Sequence, residues 1–259
     1  MKLYLLLPVI LPFFACCQQN DGKKVYFANK LNFDDLNENP YEFVHDIPCP
    51  KGYKRVSTAT KSFAGWLRDI RLKKDKSVHL YNGTLKINQD AQFAVMDLPV
   101  GTRDLQQCAD AIMRLRAEYL YSLGQFNSIR FYDNNNTCYA CPVSCSRAGF
   151  EKYLERVFSY CGTLSLQKQL PDTGPVSQTE AGNLIIQGGS PGHAIIIVDV
   201  VVNAAGQKLY LLAQSYMPAQ EIHILKNPSQ KEISPWYNLQ SADIQTPEWK
   251  FVNARLKKW

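Results

Sequence analysis

The chain has no HExxH helix, no glycine-rich phosphate loop, no serine nucleophile elbow and no EF-hand pattern. Those absences remove the usual signatures of zinc peptidases, nucleotide hydrolases, serine hydrolases and calcium-binding hands. Internal repeats and low-complexity tracts are also lacking, so a stacked-repeat architecture is excluded. After the first residues, no apolar run reaches the roughly 20 residues that a membrane-crossing helix needs. The formal net charge is +6, but the lysines are scattered through Lys73-Lys74, Lys76 and Lys257-Lys258. Scattered charge is solvated surface, not a nucleic-acid groove, and it leaves room only for weak attraction to anionic envelope polymers.

What the sequence does have begins at its N-terminus. Lys2 is followed by a mostly apolar stretch from Leu3 to Ala15 and then by Cys16. A short apolar run behind a basic residue and before a small one reads as a signal peptide, and Pro8 and Pro12 would interrupt a spanning helix. Phe13-Phe14-Ala15-Cys16 resembles a bacterial lipobox. That resemblance implies cleavage after residue 15, lipidation of Cys16 and an envelope location, periplasmic or surface-facing; ordinary secretory cleavage is the alternative. Residues 16–39, rich in Asn, Asp and Lys, read as a tether. Residues 40–259 are expected to form a single α+β domain.

Within that domain, Leu80 to Val100 alternates apolar and polar residues around Asn82-Gly83, which predicts strands joined by a hairpin. Asp104 to Leu123 carries apolar residues at helical spacing, with Asp104 and Gln107 placed as a capping box. On that helix Asp110, Arg114 and Glu118 would form a charged ladder. A second helix is expected over Phe150 to Tyr160, ended by Gly162. Ala194-Ile195-Ile196-Ile197-Val198 and Leu209-Tyr210-Leu211-Leu212-Ala213 are runs of strand-forming residues that should pair as an antiparallel hairpin across Asn203-Ala204-Ala205-Gly206. The proline-bearing C-terminal segment reads as irregular chain over the core.

Three blocks carry a family resemblance: Gly101 to Ala111 with Arg114 to Tyr119, Gly188 to Ala194, and Leu212 to Gln220. Together they resemble a family of bacterial lipoproteins designated domain of unknown function 4846, over about Tyr41 to Tyr237. More distantly, the order Cys108, His193, Gln214 resembles the NlpC/P60 and transglutaminase-like families. That second resemblance implies a papain-like core, an antiparallel sheet packed on a central helix, and needs no cofactor.

A cysteine hydrolase requires a thiol at a helix N-terminus, a histidine on a strand as base, and a polar residue on the next strand to orient the imidazole. Cys108, His193 and Gln214 fill those roles as catalytic candidates, and Gly189, Ser190 and Tyr216 are candidates for touching substrate, a cell-wall peptide or other envelope amide. Strand parity bears on the second half. A four-residue loop between the two strands puts Tyr216 opposite His193 and Gln214 opposite Ile195, whereas an odd loop or a bulge substitutes Ser215. Asp199 would share the face of His193 but lies roughly 20 Å along the strand. Against this reading, a helix capped by Asp104 carries Cys108 a full turn inside, on the face of Ile112, Leu115 and Tyr119. There a thiol packs as a small hydrophobe. The alternative role for His193 is to lock its loop through backbone hydrogen bonds. The alternative function is therefore a non-catalytic envelope lipoprotein that binds glycan or a protein partner.

Cys138, Cys141 and Cys145 form a C-x2-C-x3-C cluster for which disulfides, zinc with Cys161 or a distant residue as fourth ligand, and unpaired thiols all remain open; Cys49 is a further candidate for a disulfide. His223 and His79 alternate with apolar residues and read as outward-facing polar positions.

Overall fold

The computed structural model describes residues 37–259. The signal peptide, Cys16 and most of the tether lie outside the described residues. The tether's last residue is not free chain: Asn39 is buried, and its side-chain amide donates to the carbonyls of Tyr41 and Lys73.

In chain order the strands are β1 (Tyr53–Arg55), β2 (Gln92–Val95), β3 (Arg130–Tyr132), β4 (Cys138–Ala140), β5 (Leu184–Gln187), β6 (His193–Asn203), β7 (Lys208–Gln214), β8 (His223–Leu225), β9 (Trp236–Tyr237), β10 (Ile244–Gln245), β11 (Lys250–Phe251) and β12 (Arg255–Lys257). The helices are α1 (Phe63–Arg68), α2 (Cys108–Ser122), α3 (Arg147–Tyr160) and α4 (Thr163–Gln169). The expected α+β class is what the chain adopts. Its centre is an antiparallel sheet ordered β12-β5-β6-β7-β8-β2, with β1 also paired to β6 and β9 to β7. Two small hairpins, β3-β4 and β10-β11, stand apart from it.

β6 and β7 form the hairpin that their β-branched runs predict, and both are buried along nearly their whole length. Each face of this sheet is covered. Ala194, Ile196, Val198, Leu211 and Ala213 pack in the cluster that contains Ala109, Ile112, Met113 and Leu115 of α2. Ile185, Ile195, Ile197, Tyr210 and Leu212 pack on the other side with Ile244 and Phe251. Burial on both sides explains why β6 reads as a continuous apolar run and not as an alternation.

Elsewhere the sequence expectations are met with adjustments. The Asn82-Gly83 turn forms, with Gly83 at φ 80°, but its arms make only isolated bridges, His79 to Leu85 and Leu80 to Gln220. The second helix starts earlier than expected, at Arg147, because Ser146 caps it by accepting from the Gly149 amide. The charged ladder on α2 is no solvated face: Asp110, Arg114 and Glu118 are all buried. Glu118 takes both Nη atoms of Arg147, at 2.6 and 2.7 Å, and so ties α2 to α3.

Candidate active site

The helix that carries Cys108 begins later than its sequence spacing predicts. Gln107 is the N-cap, and its backbone N–H donates to Asp110 Oδ2 at 3.0 Å. Asp104 does not cap the helix because its carboxylate is engaged elsewhere: Oδ1 accepts from the Ala219 amide at 2.7 Å and from Gln107 Nε2 at 3.2 Å. Cys108 is consequently the first helical residue, not one turn inside. Its thiol lies at the end where orphan amides and the helix dipole favour negative charge.

Two opposing influences meet at that sulfur. Burial, then the nearby Asp110 carboxyl, push the thiol up to about 11, while the backbone N–H groups of Ala109, Ala194 and Cys108 itself favour the thiolate. Burial also holds the Asp110 carboxyl well above the usual carboxylate range. The Ala194 amide is the informative one, because Ala194 directly follows His193. It places the sulfur beside the first residues of β6, where register pairing with β7 has already ended at Ile196 and Ala213. The thiol therefore approaches the open end of the sheet from the helix layer.

His193 is 1% exposed, and its ring is packed against Tyr216, Trp249 and Phe251 at centroid distances of 4.9, 5.3 and 5.6 Å. Its Nε2 is 2.9 Å from Gln214 Oε1. A carbonyl oxygen can only accept, so Nε2 carries the hydrogen and Nδ1 keeps the lone pair. Burial lowers the imidazole to about 4 despite the Gln214 bond. The resting thiol and imidazole are therefore both neutral at pH 7.

The pairing of His193 with Gln214 depends on two irregularities that cancel. Val202 pairs with Lys208, leaving five residues in the loop, an odd number that on its own would shift the register by one. The ladder slips between Ile197 and Asp199, with Val198 as the extra residue, and Ile196 then pairs with Ala213. Continued to the strand end, that register sets Ile195 against Gln214 and His193 against Tyr216. The bulge also overturns the expected position of Asp199. Its carboxylate bonds Arg68 of α1 at 2.6 Å and Arg55 at 2.8 Å, so it belongs to the helix side and not to the face of His193.

Behind Gln214 lie three groups whose role the sequence does not signal. Gln214 Nε2 donates to Glu248 Oε2 at 2.9 Å, and Lys86 Nζ donates to the same oxygen at 2.8 Å. The third is His223, read from sequence as outward-facing and found fully buried. β8 is covered on both sides, so alternation fails as a guide there. Burial and the Lys86 charge lower His223 to about 3. His79 is half-exposed, and its backbone N–H donates to Glu221 Oε2 at 2.9 Å. Glu248, Trp249 and Phe251 all come from the β10-β11 hairpin, in the segment expected to be irregular.

The loop before His193 is closely packed. A Cβ on Gly192 would sit 2.4 Å from Gly189 O and 2.8 Å from Gln187 O, and one on Gly188 would meet Leu164 Cα at 3.0 Å. Those glycines are required by chain crossing near α4. Gly189 is half-buried, Ser190 is exposed, and Tyr216 is half-buried edge-on to the imidazole. A neighbouring cleft of about 330 Å³ is lined by Pro99, Gly101, Gln106, Arg114 and Phe158 and does not include Cys108, His193 or Gln214.

Among the described residues, no three or more His, Cys, Asp or Glu side chains are grouped to hold a metal ion. In the C-x2-C-x3-C cluster the cysteines are free, and burial pushes Cys141 up to about 11 and Cys161 up to about 12.

The structure thus defines a mixed α+β protein in which a cysteine at the amide end of a helix meets the backbone amide of Ala194, the residue after a histidine that is held by a glutamine on the next strand. The sequence model of the family described as domain of unknown function (4846) matches residues 44–141 and 133–258, and the chain belongs to that family. No curated protein and no solved structure is significantly similar to it. Among the described residues, no helix is long and apolar enough to cross a membrane.

Proposed function

We propose that this protein is a lipid-anchored envelope enzyme of papain-like architecture, a cysteine amidase or peptidase acting on cell-wall peptide or another envelope amide. The observation that carries the proposal is the Cys108 sulfur at a helix N-terminus facing the amide that follows His193, with His193 Nε2 held by Gln214. In this reading the neutral Nδ1 of His193 takes the thiol proton as Cys108 Sγ bonds to the scissile carbonyl carbon. The imidazolium returns that proton to the leaving amine as the C–N bond breaks. Water, deprotonated by the same nitrogen, then releases the acyl group as a carboxylic acid and regenerates the thiol. In this reading the helix-end amides of Cys108 and Ala109, which bond the resting sulfur, serve as donors to the oxyanion.

The test is incubation with purified cell-wall peptide, reading new free amine and an acylated protein mass. Release of amine lost in Cys108→Ala, and reduced at least about a hundredfold in His193→Ala, is the expected result. Release indifferent to both substitutions removes the proposal. One observation favours a second reading, a non-catalytic lipoprotein that binds glycan or a protein partner: Cys108 is only 8% exposed. That reading predicts no amine release at all, together with saturable binding to the same peptide or glycan.

A further inference from the structure

The Gln214 amide is engaged on every side, and its partners are not interchangeable. Its oxygen faces His193 Nε2 at 2.9 Å. Its nitrogen faces Glu248 Oε2 at 2.9 Å and His223 Nε2 at 3.5 Å. His223 has its tautomer set from the other end, because Nδ1 lies 2.9 Å from the Glu221 carbonyl and must donate to it. Its Nε2 is therefore an acceptor, as Glu248 is.

Both groups behind the amide thus demand N–H. Turning the amide over would set its oxygen against a carboxylate and a nitrogen lone pair, and would set its NH2 against the Nε2–H of His193. We propose that Glu248, seconded by His223, is a positioning residue that fixes the Gln214 amide and through it holds His193 as the Nε2–H tautomer, with Nδ1 as the base. Lys86, 6% exposed, and Asn88, whose Nδ2 is 3.5 Å from Glu248 Oε1, steady the carboxylate. The tight turn at Thr246 to Trp249, closed by a Thr246 N–H to Trp249 carbonyl bond of 2.9 Å, delivers it. The inference deepens the hydrolase proposal and rests on it for any catalytic meaning, but the tautomer itself is independent of activity.

The experiment is nitrogen-15 NMR of the histidine rings in the folded protein, at pH 7. The wild type is expected to show a pyridine-type nitrogen at Nδ1 and a pyrrole-type nitrogen at Nε2 of His193. Glu248→Gln, which retains an acceptor oxygen, should keep that pattern. Glu248→Ala should mix the two tautomers, and adding Gln214→Glu, whose carboxylate can accept from Nε2–H unaided, should restore the single tautomer. A wild-type Nδ1–H tautomer, measured with no substitution, overturns the proposal. So does an unchanged pattern in a folded Glu248→Ala variant. Absence of peptide cleavage by the wild type, with the tautomer responding to these substitutions as expected, would count against the hydrolase reading alone.

Discussion

The state of the Cys108 thiol can be measured directly, and burial makes a strong statement about it. With the thiol pushed up to about 11, its thiolate fraction is about one in ten thousand at pH 7 and about one in ten at pH 10. The rate of alkylation by iodoacetamide at Cys108 should therefore climb about a thousandfold across that interval, with no plateau. An ordinary exposed thiol near 8.5 gains only about thirtyfold and levels off above pH 9. A preformed thiolate–imidazolium pair would give a flat profile from mildly acid pH upward. The measurement is the initial alkylation rate at each pH, resolved to Cys108 by peptide mapping because Cys49, Cys138, Cys141, Cys145 and Cys161 also carry free thiols. Circular dichroism confirms that the fold persists at the upper limit. A plateau below pH 9 would refute the reasoning: it would mean that the helix end and the amides of Ala109 and Ala194 outweigh burial, and that the nucleophile is charged before substrate arrives.

Other outcomes follow from the same geometry. His193 and His223 are held neutral at about 4 and about 3, below their ordinary 6.5, so between those values the unfolded chain binds more protons than the folded one. Stability is then fully present above about pH 6.5 and is lost as pH falls toward 4, a steep decline in urea midpoint; a midpoint unchanged from pH 7 to 4.5 contradicts the burial of these rings. Asp199→Ala strips a fully buried carboxylate from Arg55 and Arg68 and should cost about 3–5 kcal/mol in denaturant unfolding, whereas a loss under about 1 kcal/mol would mean that the triad is solvated. Gly192→Ala drives a methyl group into two backbone carbonyls and should cost about 1–3 kcal/mol in thermal melts. An unchanged melting temperature there would show that the loop before His193 is not close-packed.

The parts of this molecule that were legible in the sequence are those decided by local pattern. The β-branched runs of β6 and β7 specify a buried hairpin, and the apolar spacing after Cys108 specifies α2. The start of α2 was not legible, because Asp104 is a good cap by composition and its carboxylate is diverted to the distant Ala219 amide and the Gln107 side chain. His223 departs from the outward position its sequence pattern implies for a related reason. Alternation identifies an outward residue only where one face of a strand meets water, and β8 meets none.

Gln214 reaches His193 through two departures from regular pairing that offset each other. Either an odd loop or a bulge alone would set Ser215 there; the loop has five residues, and the extra residue at Val198 shifts the ladder back to the register of a four-residue loop. Neither feature is decided by nearby sequence. Asn203 closes the loop through its own side chain, accepting from the amides of Ala205 and Gln207. The bulge sits where Asp199 turns toward two arginines that arrive from residues 55 and 68, the second of them on α1. On this argument the buried ion triad does more than stabilise: by holding Asp199 on the helix side, it fixes the slip that lets the imidazole and the glutamine meet three turns of pleat away. An Asp199 substitution that preserved folding should therefore disturb the His193–Gln214 hydrogen bond, although none of the three charged groups touches either residue.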